Sequence, residues 1–158
     1  MSLKEEKHYL EILGDELALA VGQAIWAFAK IEWLTYKYMK LLSKEDLGNL
    51  VEGLLFSKRI EVIKKLVNRI DKFDKEKTKV IKCLIEIAKL SEERNLIVHN
   101  PWQIWIDLEK KVFMTEIQKH SNPVKKLDLS QVNLFTEKTQ KAASDLQEAI
   151  QPLIKGKW

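Results

Sequence analysis

The sequence predicts a mainly α fold: an up-and-down helical bundle of four to five helices, with a β-hairpin inserted after the helix that precedes Pro101. Apolar residues recur at helical spacing along residues 16–42, 75–98 and 130–154. The period changes to two after Pro101, which is typical of strands. Only five glycines and three prolines occur among 158 residues, which favours long helices over a β-sandwich. The length fits a single domain, residues 1–158.

Composition narrows the class of protein. The chain is 46% hydrophobic and 32% charged, enough to form a core and stay soluble. Its single cysteine, Cys83, excludes a disulfide framework and indicates a cytoplasmic protein. Residues 1–9 lack the apolar core of a signal peptide, and no run is apolar for long enough to span a bilayer, so we expect no membrane partner. The formal charge of +4 permits nucleic-acid binding without indicating it.

The first long helix carries an acidic residue on its apolar face. We expect a polar lead with at most a short helix, then Asp15 as an N-cap and a helix over 16–42. Glu32 falls within the apolar stripe of that helix, and a carboxylate there needs a partner. Arg94 or His99 can supply one if the two helices pack together. Otherwise Glu32 is an edge residue whose carboxylate reaches water.

A second line of large apolar residues runs along the far side of the same helix. Leu19, Trp26 and Trp33 recur every seven residues. Either a subunit interface or burial under the chain's own hairpin would cover them. The first alternative predicts a homodimer.

Two shorter helices should follow. Ser43 can cap a helix over 44–55, and Ser57 can cap another that runs to about Asp71. The outer face of the second is basic, and it either contacts a phosphate backbone or is simply solvated. That face carries Lys58, Arg59, Lys64, Lys65 and Arg69.

The segment after Pro101 predicts a β-hairpin. Apolar and polar residues alternate over 102–108 and again over 111–118, with a tight turn between them. Trp102 and Trp105 then have two alternative uses, which are packing the hairpin on the bundle and stacking on a nucleobase.

A loop and a last helix complete the chain. Residues 120–128 are predicted to form a polar loop in which His120 is a surface residue with no partner pattern. Ser130 is expected to cap a helix that runs to about Ile154, and Gly156 to end it.

The helix over 75–98 becomes polar at its end. On a helical wheel of about 100° per residue, Ser91, Asn95 and His99 continue its apolar arc. Arg94 lies on one flank of that arc and His99 on the other, about 140° apart. Burying such groups unpaired costs roughly 1–3 kcal/mol each, so we expect them to have partners.

Arg94 and His99 suit phosphodiester chemistry. Asn100-Pro101 ends the helix, which leaves His99 in the last turn, where the helix dipole favours a cation. A histidine there can serve as a general acid near neutral pH. A nearby arginine can neutralise a phosphate or its transition state. The pair therefore predicts metal-free cleavage of a phosphodiester.

The stretch Arg94-Asn95-Leu96-Ile97-Val98-His99 resembles the R-x4-6-H motif of the HEPN domain superfamily, including the polar residue that often follows the arginine. HEPN domains are helical bundles, often dimeric. Many are metal-independent ribonucleases in toxin–antitoxin, abortive-infection and RNA-processing systems, in which the arginine and histidine of two protomers meet at a dimer cleft. One toxin branch has a tyrosine two residues after the histidine, where this chain has Pro101.

The resemblance implies a specific site. Arg94 and His99 would be catalytic and Asn95 would support them. Glu32 and Ser91 are added as supporting residues from their positions on the apolar faces of their helices. The implied partners are RNA, a second copy of the chain in a homodimer, and an antitoxin or another protein. No metal and no cofactor are expected, since the sequence has no Cys/His metal spacing and no glycine-rich phosphate loop.

A non-catalytic alternative is a helical module that binds a protein or a nucleotide. In this alternative Glu32, Ser91, Asn95 and His99 form a buried polar network that fixes the packing. Exposure distinguishes the two hypotheses. An enzyme needs Arg94 and His99 reachable from a cleft, whereas the groups of a structural network are buried and hydrogen-bonded.

Overall fold

The computed structural model describes residues 3–43, 53–107, 109–110 and 112–155, with side chains from Lys7 onward. Within these ranges the chain is mainly α, with an antiparallel sheet between the third and fourth helices, which confirms the predicted fold class. The helices are α1 (Leu3–Leu42), α2 (Phe56–Asn68), α3 (Asp74–His99) and α4 (Leu129–Lys155); the strands are β1 (Trp102–Asp107), β2 (Val112–Lys119) and β3 (Asn122–Asp128).

The core lies where α1, α3 and α4 pack together, and α2 packs on α1 and α3. All four helices contribute fully buried apolar side chains, whose removal from water is the main term that stabilises the bundle. These include Phe28, Ile31 and Leu34 of α1, Ile63 of α2, Leu84 and Ile87 of α3, and Phe135, Leu146 and Ile150 of α4.

α1 is one uninterrupted helix, so the predicted break and N-cap at Asp15 are wrong. Leu13 and Leu17 are both buried, and the apolar stripe therefore runs straight through this point. Gly14 between them is exposed and meets no close neighbour. Packing on either side outweighs the weak helix propensity of glycine and aspartate here.

α1 is also apolar over most of its length. By length and composition alone, Lys7–Leu42 could cross a membrane, contrary to the prediction that no run is apolar for long enough. The core helix of a soluble protein, which is mostly buried, and an N-terminal signal sequence satisfy the same criterion. Only 28% of the most apolar window is buried within the structure, so much of the apolar surface of α1 faces outward.

The connection from α1 to α2 is described only in part. The helix predicted over 44–55 falls mostly outside the described residues, and residues 53–55 are not helical. Leu55 occupies the N-cap position of α2 without a side-chain cap, so Ser57 is not the cap that the sequence predicts. The helix ends at Asn68, earlier than predicted.

The predicted hairpin is present as β1 and β2, paired antiparallel with Trp102 opposite Ile117. The turn of the hairpin forms without a glycine, because the side chain of an aspartate stabilises it. The Asp107 carboxylate accepts hydrogen bonds from the backbone N–H groups of Glu109 (3.1 Å) and Lys110 (3.0 Å).

The polar loop predicted over 120–128 is wrong, because most of it forms β3, which pairs antiparallel with β2. Leu127 is the one buried residue of this strand. A strand exposed on both faces lacks the alternation from which strands are predicted. β3 also lies at the edge of the sheet, where lysines such as Lys125 discourage pairing with other chains.

α4 follows its predicted course, but its cap differs. The Asp128 carboxylate accepts a hydrogen bond from the backbone N–H of Gln131 (2.8 Å), and Gln131 Oε1 accepts one from the N–H of Asp128 (2.9 Å). This is a reciprocal capping box, and Ser130 is not the cap. The predicted stop at Gly156 lies outside the described residues.

Candidate functional site

The last two turns of α3 carry the motif, and their burial differs from the prediction. The buried stripe continues through Leu90 and Ile97, whereas Asn95 and His99 are exposed and Ser91 is half-buried. The prediction that these three polar residues continue the apolar arc is therefore wrong. α3 also contacts β2.

Arg94 extends from α3 towards α1. Its Nη2 donates to Glu32 Oε1, and its Nη1 donates to Asn95 Oδ1 at 3.0 Å. The guanidinium also lies 5.2 Å from the centre of the Phe28 ring. Of the two alternatives for Glu32, the structure thus contains the pairing with Arg94. The side chains of Arg94 and Glu32 keep 25% and 30% of their surface exposed, so the pair is accessible.

A second arginine approaches the same carboxylate from α2. Arg59 Nη2 lies 3.9 Å from Glu32 Oε1, and the Arg59 guanidinium stacks over the ring of Tyr36 at 4.2 Å. Phe56 lies on the same guanidinium at 5.4 Å. Only 6% of Arg59 is exposed.

The position of Arg59 contradicts its assignment to the solvated basic face of α2. It lies three residues after Phe56 and four before Ile63, so the helical wheel puts it on the flank of the buried stripe. From that spacing the burial of Arg59 could have been predicted. Of the rest of the predicted face, Lys58, Lys65 and Arg69 are exposed and Lys64 is half-buried.

Glu32, Arg59 and Arg94 line one groove of about 430 Å³, which we call the arginine groove. Its polar lining includes Glu32, Arg59, Ser91, Arg94 and Asn95, and its apolar lining includes Phe28 and Phe56. Two guanidinium groups face one carboxylate there, so these charged side chains leave a net charge of +1. Such a wall can bind an anion.

His99 opens onto a different groove, of about 650 Å³, which we call the histidine groove. His120 lines the same groove, although the sequence predicts for it only an unpartnered surface position. Asn100 links the two segments, because its Nδ2 donates to the carbonyl of Leu96 (2.9 Å) and its Oδ1 accepts from the backbone N–H of His120 (3.3 Å).

Charge is divided across the histidine groove. Lys119 and Lys125 line it from the β2 and β3 side, and Glu92 and Glu93 from the α3 side. Lys126 is neutralised by Glu116 at 2.9 Å. The positive charge of the histidine groove therefore lies on the side of the sheet. Among the described residues, no group of His, Cys, Asp and Glu side chains is arranged to hold a metal ion.

Asn95 lines both grooves and so marks where they adjoin. Arg94 and His99 open on opposite sides of it, in line with their predicted separation on the wheel. The predicted buried network of Glu32, Ser91, Asn95 and His99 is not formed among the described residues. Glu32 and Asn95 are instead joined through Arg94, in contacts that are partly exposed. The Ser91 hydroxyl donates to the carbonyl of Ala88 in its own helix (2.6 Å), and His99 is exposed.

The two tryptophans after the motif differ in their surroundings. Trp102 is half-buried and packs against the core, with its buried indole Nε1 unpaired among the described residues. Trp105 keeps 39% of its surface exposed on the sheet. Packing on the bundle therefore accounts for Trp102, and Trp105 retains a ring face that a base could reach.

No protein-family model matches this chain, and neither a curated protein nor a solved structure matches it. The resemblance to the HEPN superfamily therefore rests on the residues from Arg94 to His99, and the function must be inferred from the chemistry of the two grooves.

Proposed function

We propose that the protein is a metal-independent endoribonuclease of the HEPN type, with Arg94 and His99 acting at a homodimer cleft. The observation that carries the proposal is that both side chains reach solvent, in two adjoining grooves that share Asn95. A role in toxin–antitoxin or defence systems, with an antitoxin or another protein as partner, belongs to the same proposal.

The chemistry needs a base, an acid and a cation. His99 accepts the proton of the RNA 2′-hydroxyl, whose oxygen then attacks the adjacent phosphorus. Arg94 stabilises the negative charge that develops on the phosphate oxygens. The 5′-oxygen leaves with a proton from the histidine of the second protomer. The products carry a 2′,3′-cyclic phosphate and a 5′-hydroxyl.

Glu32 acts as a positioning residue in this scheme. It holds Nη2 of Arg94, while Asn95 accepts from Nη1, so the guanidinium is fixed at the mouth of the arginine groove. A guanidinium fixed in advance loses less side-chain entropy when it binds phosphate. The phosphate competes with Glu32 for the arginine, which limits binding to ligands that supply at least one strong anionic group.

The outward face of α1 supports the homodimer. Leu19, Trp26 and Trp33 are 61%, 82% and 57% exposed, so the chain's own hairpin does not cover them. Trp26 also lines a groove of about 1170 Å³ between α1 and α4. Large aromatic residues exposed along one helix are typical of subunit interfaces.

A second candidate function is a non-catalytic module that binds a protein or a nucleotide. The Glu32–Arg94 ion pair favours it, because this contact engages the motif arginine without any substrate. The two functions differ in one testable respect. The enzyme requires His99 for RNA cleavage, whereas a binding module does not use His99 to cleave RNA.

The test is incubation of the purified protein with mixed RNA in a chelator. We expect cleavage by the wild type and a fall of about 10²- to 10⁴-fold in His99→Ala, the usual contribution of a general acid or base. Arg94→Ala should fall to a similar extent. His8→Ala removes an exposed histidine from α1 and serves as the matched control. Cleavage that persists in both motif variants would exclude these residues, and absence of cleavage by the wild type would favour the binding module.

A further inference from the structure

Arg59 is a buried cation whose hydrogen bonds are incomplete. Its exposure is 6%, and its Nε and Nη1 atoms have no hydrogen-bond partner among the described residues. The carboxylate that it approaches among the described residues is that of Glu32, which is 3.9 Å away and already accepts a hydrogen bond from Arg94. Burying a guanidinium in this state is unfavourable, so a buried arginine normally has full partners.

The surroundings hold the Arg59 guanidinium in place without satisfying it. Tyr36 and Phe56 lie against it at 4.2 and 5.4 Å, contacts that orient its plane while its Nε and Nη1 atoms stay without a hydrogen-bond partner among the described residues. Packing of this kind fixes the direction in which the unpaired Nε–H and Nη1–H groups of Arg59 point. Because Arg59 lines the arginine groove, a ligand in the groove can reach it.

The charge and shape of the groove identify the class of ligand. The guanidinium groups of Arg59 and Arg94 converge on one edge of Glu32, with a net charge of +1 across the three side chains. Two guanidiniums can each give paired hydrogen bonds to a tetrahedral oxyanion. The low polarity of Phe28 and Phe56 strengthens such bonds.

We propose that the arginine groove is a phosphate-binding site in which Arg59 anchors a phosphate group together with Arg94. The inference rests on the proposed function in one respect, that Arg94 binds phosphate there too. It adds a second anchoring arginine, from α2, that the motif does not contain. Arg59 binds the phosphate and takes no part in proton transfer. The phosphate belongs either to an RNA backbone or to a free nucleotide.

The experiment measures binding separately from cleavage. The probes are inorganic phosphate, AMP and a short RNA with 2′-O-methyl groups, which lacks the attacking hydroxyl. Affinity is measured by calorimetry, and the arginine Nε–H signals of the wild type are followed by NMR. We expect the Arg59 signal to move on addition of each probe, and Arg59→Gln to weaken binding by about 10- to 100-fold.

Arg69→Gln is the matched control, because it makes the same substitution at an exposed position at the end of α2. It should bind as the wild type does. If Arg59→Gln proves unfolded, Arg59→Lys keeps the charge but loses the paired donors, and it should still bind more weakly. Tighter binding of the RNA than of AMP identifies a backbone phosphate, and equal binding identifies a free nucleotide.

Two results would overturn the proposal: an Arg59 Nε–H signal that none of the probes moves, or full affinity in Arg59→Gln. His99→Ala separates this inference from the proposed function. It should keep Arg59-dependent binding of the methylated RNA whether or not the wild type cleaves unmodified RNA. If His99→Ala loses cleavage but still binds the methylated RNA, both the ribonuclease proposal and the phosphate-binding proposal stand. If the wild type cleaves RNA but its binding does not depend on Arg59, only the phosphate-binding proposal is contradicted.

Discussion

Glu32 is the residue at which the two arginines of the candidate site meet. Its carboxylate accepts a hydrogen bond from Arg94 and lies 3.9 Å from Arg59, although 30% of it remains exposed. We expect Glu32→Gln to lower the free energy of unfolding by about 1–2 kcal/mol, somewhat less than a fully buried charged hydrogen bond because water screens the pair. Chemical denaturation measures the change.

A surface pair provides the control for that substitution. Glu86 contacts Lys89 at 2.8 Å, but both side chains are more than half exposed. Glu86→Gln should therefore cost less than about 0.5 kcal/mol. An equal cost for the two substitutions would mean that Glu32 is an ordinary surface carboxylate and does not position Arg94.

Tyr38 provides a pH-dependent prediction. It is buried, its hydroxyl has no hydrogen-bond partner among the described residues, and burial raises its pKa above the usual value of 10.0. The neutral phenol therefore contributes stability that is fully present below about pH 10, the unfolded-state pKa, and is lost as pH rises through the higher folded-state pKa. Tyr38→Phe should leave stability at pH 7 unchanged or higher, and should flatten its decline above pH 10.

The matched substitution is Tyr9→Phe, at an exposed tyrosine that stacks on Phe113. It should leave the alkaline decline as it is in the wild type. Thermal denaturation between pH 7 and 11 gives both curves. A clear loss of stability in Tyr38→Phe at pH 7 would show that the hydroxyl has a partner.

At the scale of single residues, the sequence predicts a site residue when the pattern of its own helix shows that it needs a partner. Glu32 stands on an apolar face, and burial of a carboxylate requires a cation, so Arg94 could be proposed as its partner. Arg59 and His120 could not be found this way. The spacing of Arg59 from Phe56 and Ile63 indicates that it flanks the buried stripe of α2, but it does not indicate a partner. The roles of both residues depend on which helix or strand lies opposite.

At the scale of elements, the start of α4 gives a direct test. Asp128 and Gln131 hydrogen-bond to each other's backbone N–H groups. We expect Asp128→Ala to cost about 1 kcal/mol, the usual loss for an N-cap, whereas Ser130→Ala should change stability by less than about 0.5 kcal/mol. Urea denaturation of the two variants measures the difference. The reverse ranking would restore Ser130 as the cap.

Other elements show where local patterns mislead. Asp15 has the composition of an N-cap, yet α1 continues through it because the apolar stripe on both sides is buried. β3 has the composition of a loop, yet it pairs with β2 through its backbone, which any side chain permits. The long helices and the hairpin were predictable, because in each of them the order of apolar and polar residues follows which positions are buried.

At the scale of the whole molecule, the exposed face of α1 should determine the oligomeric state. Trp26 is 82% exposed on that face. We expect the wild type to be a dimer and Trp26→Glu to be a folded monomer, because a charge at the centre of an apolar interface is costly. Light scattering after size exclusion measures the mass of each.

Ile106→Glu is the control for this substitution, since Ile106 is 50% exposed on β1 rather than on α1 and lines neither groove of the candidate site. It should remain a dimer. If Trp26→Glu stays dimeric, the interface lies elsewhere. If the monomer keeps full ribonuclease activity, the active site does not need two protomers.

The whole-molecule arrangement was only partly predictable. The helical frame and the position of the motif at the end of α3 follow from periodicity and from Pro101. The separation of Arg94 and His99 into two grooves follows from their wheel positions, but the presence of the grooves depends on α2 and β3. Arg94 contacts Glu32 and Phe28 of α1 and shares its groove with residues of α2, and His99 shares its groove with residues of β2 and β3. None of these neighbours is specified by the motif itself.

The most direct measurement is the chemical identity of the RNA ends that the wild-type protein produces in a chelator. In-line attack by the 2′-hydroxyl, with His99 as base and Arg94 on the phosphate, must give 2′,3′-cyclic phosphate and 5′-hydroxyl ends, and mass spectrometry should detect both. Fragments with 3′-hydroxyl and 5′-phosphate ends, or no fragments at all, would contradict the proposed role of Arg94 and His99.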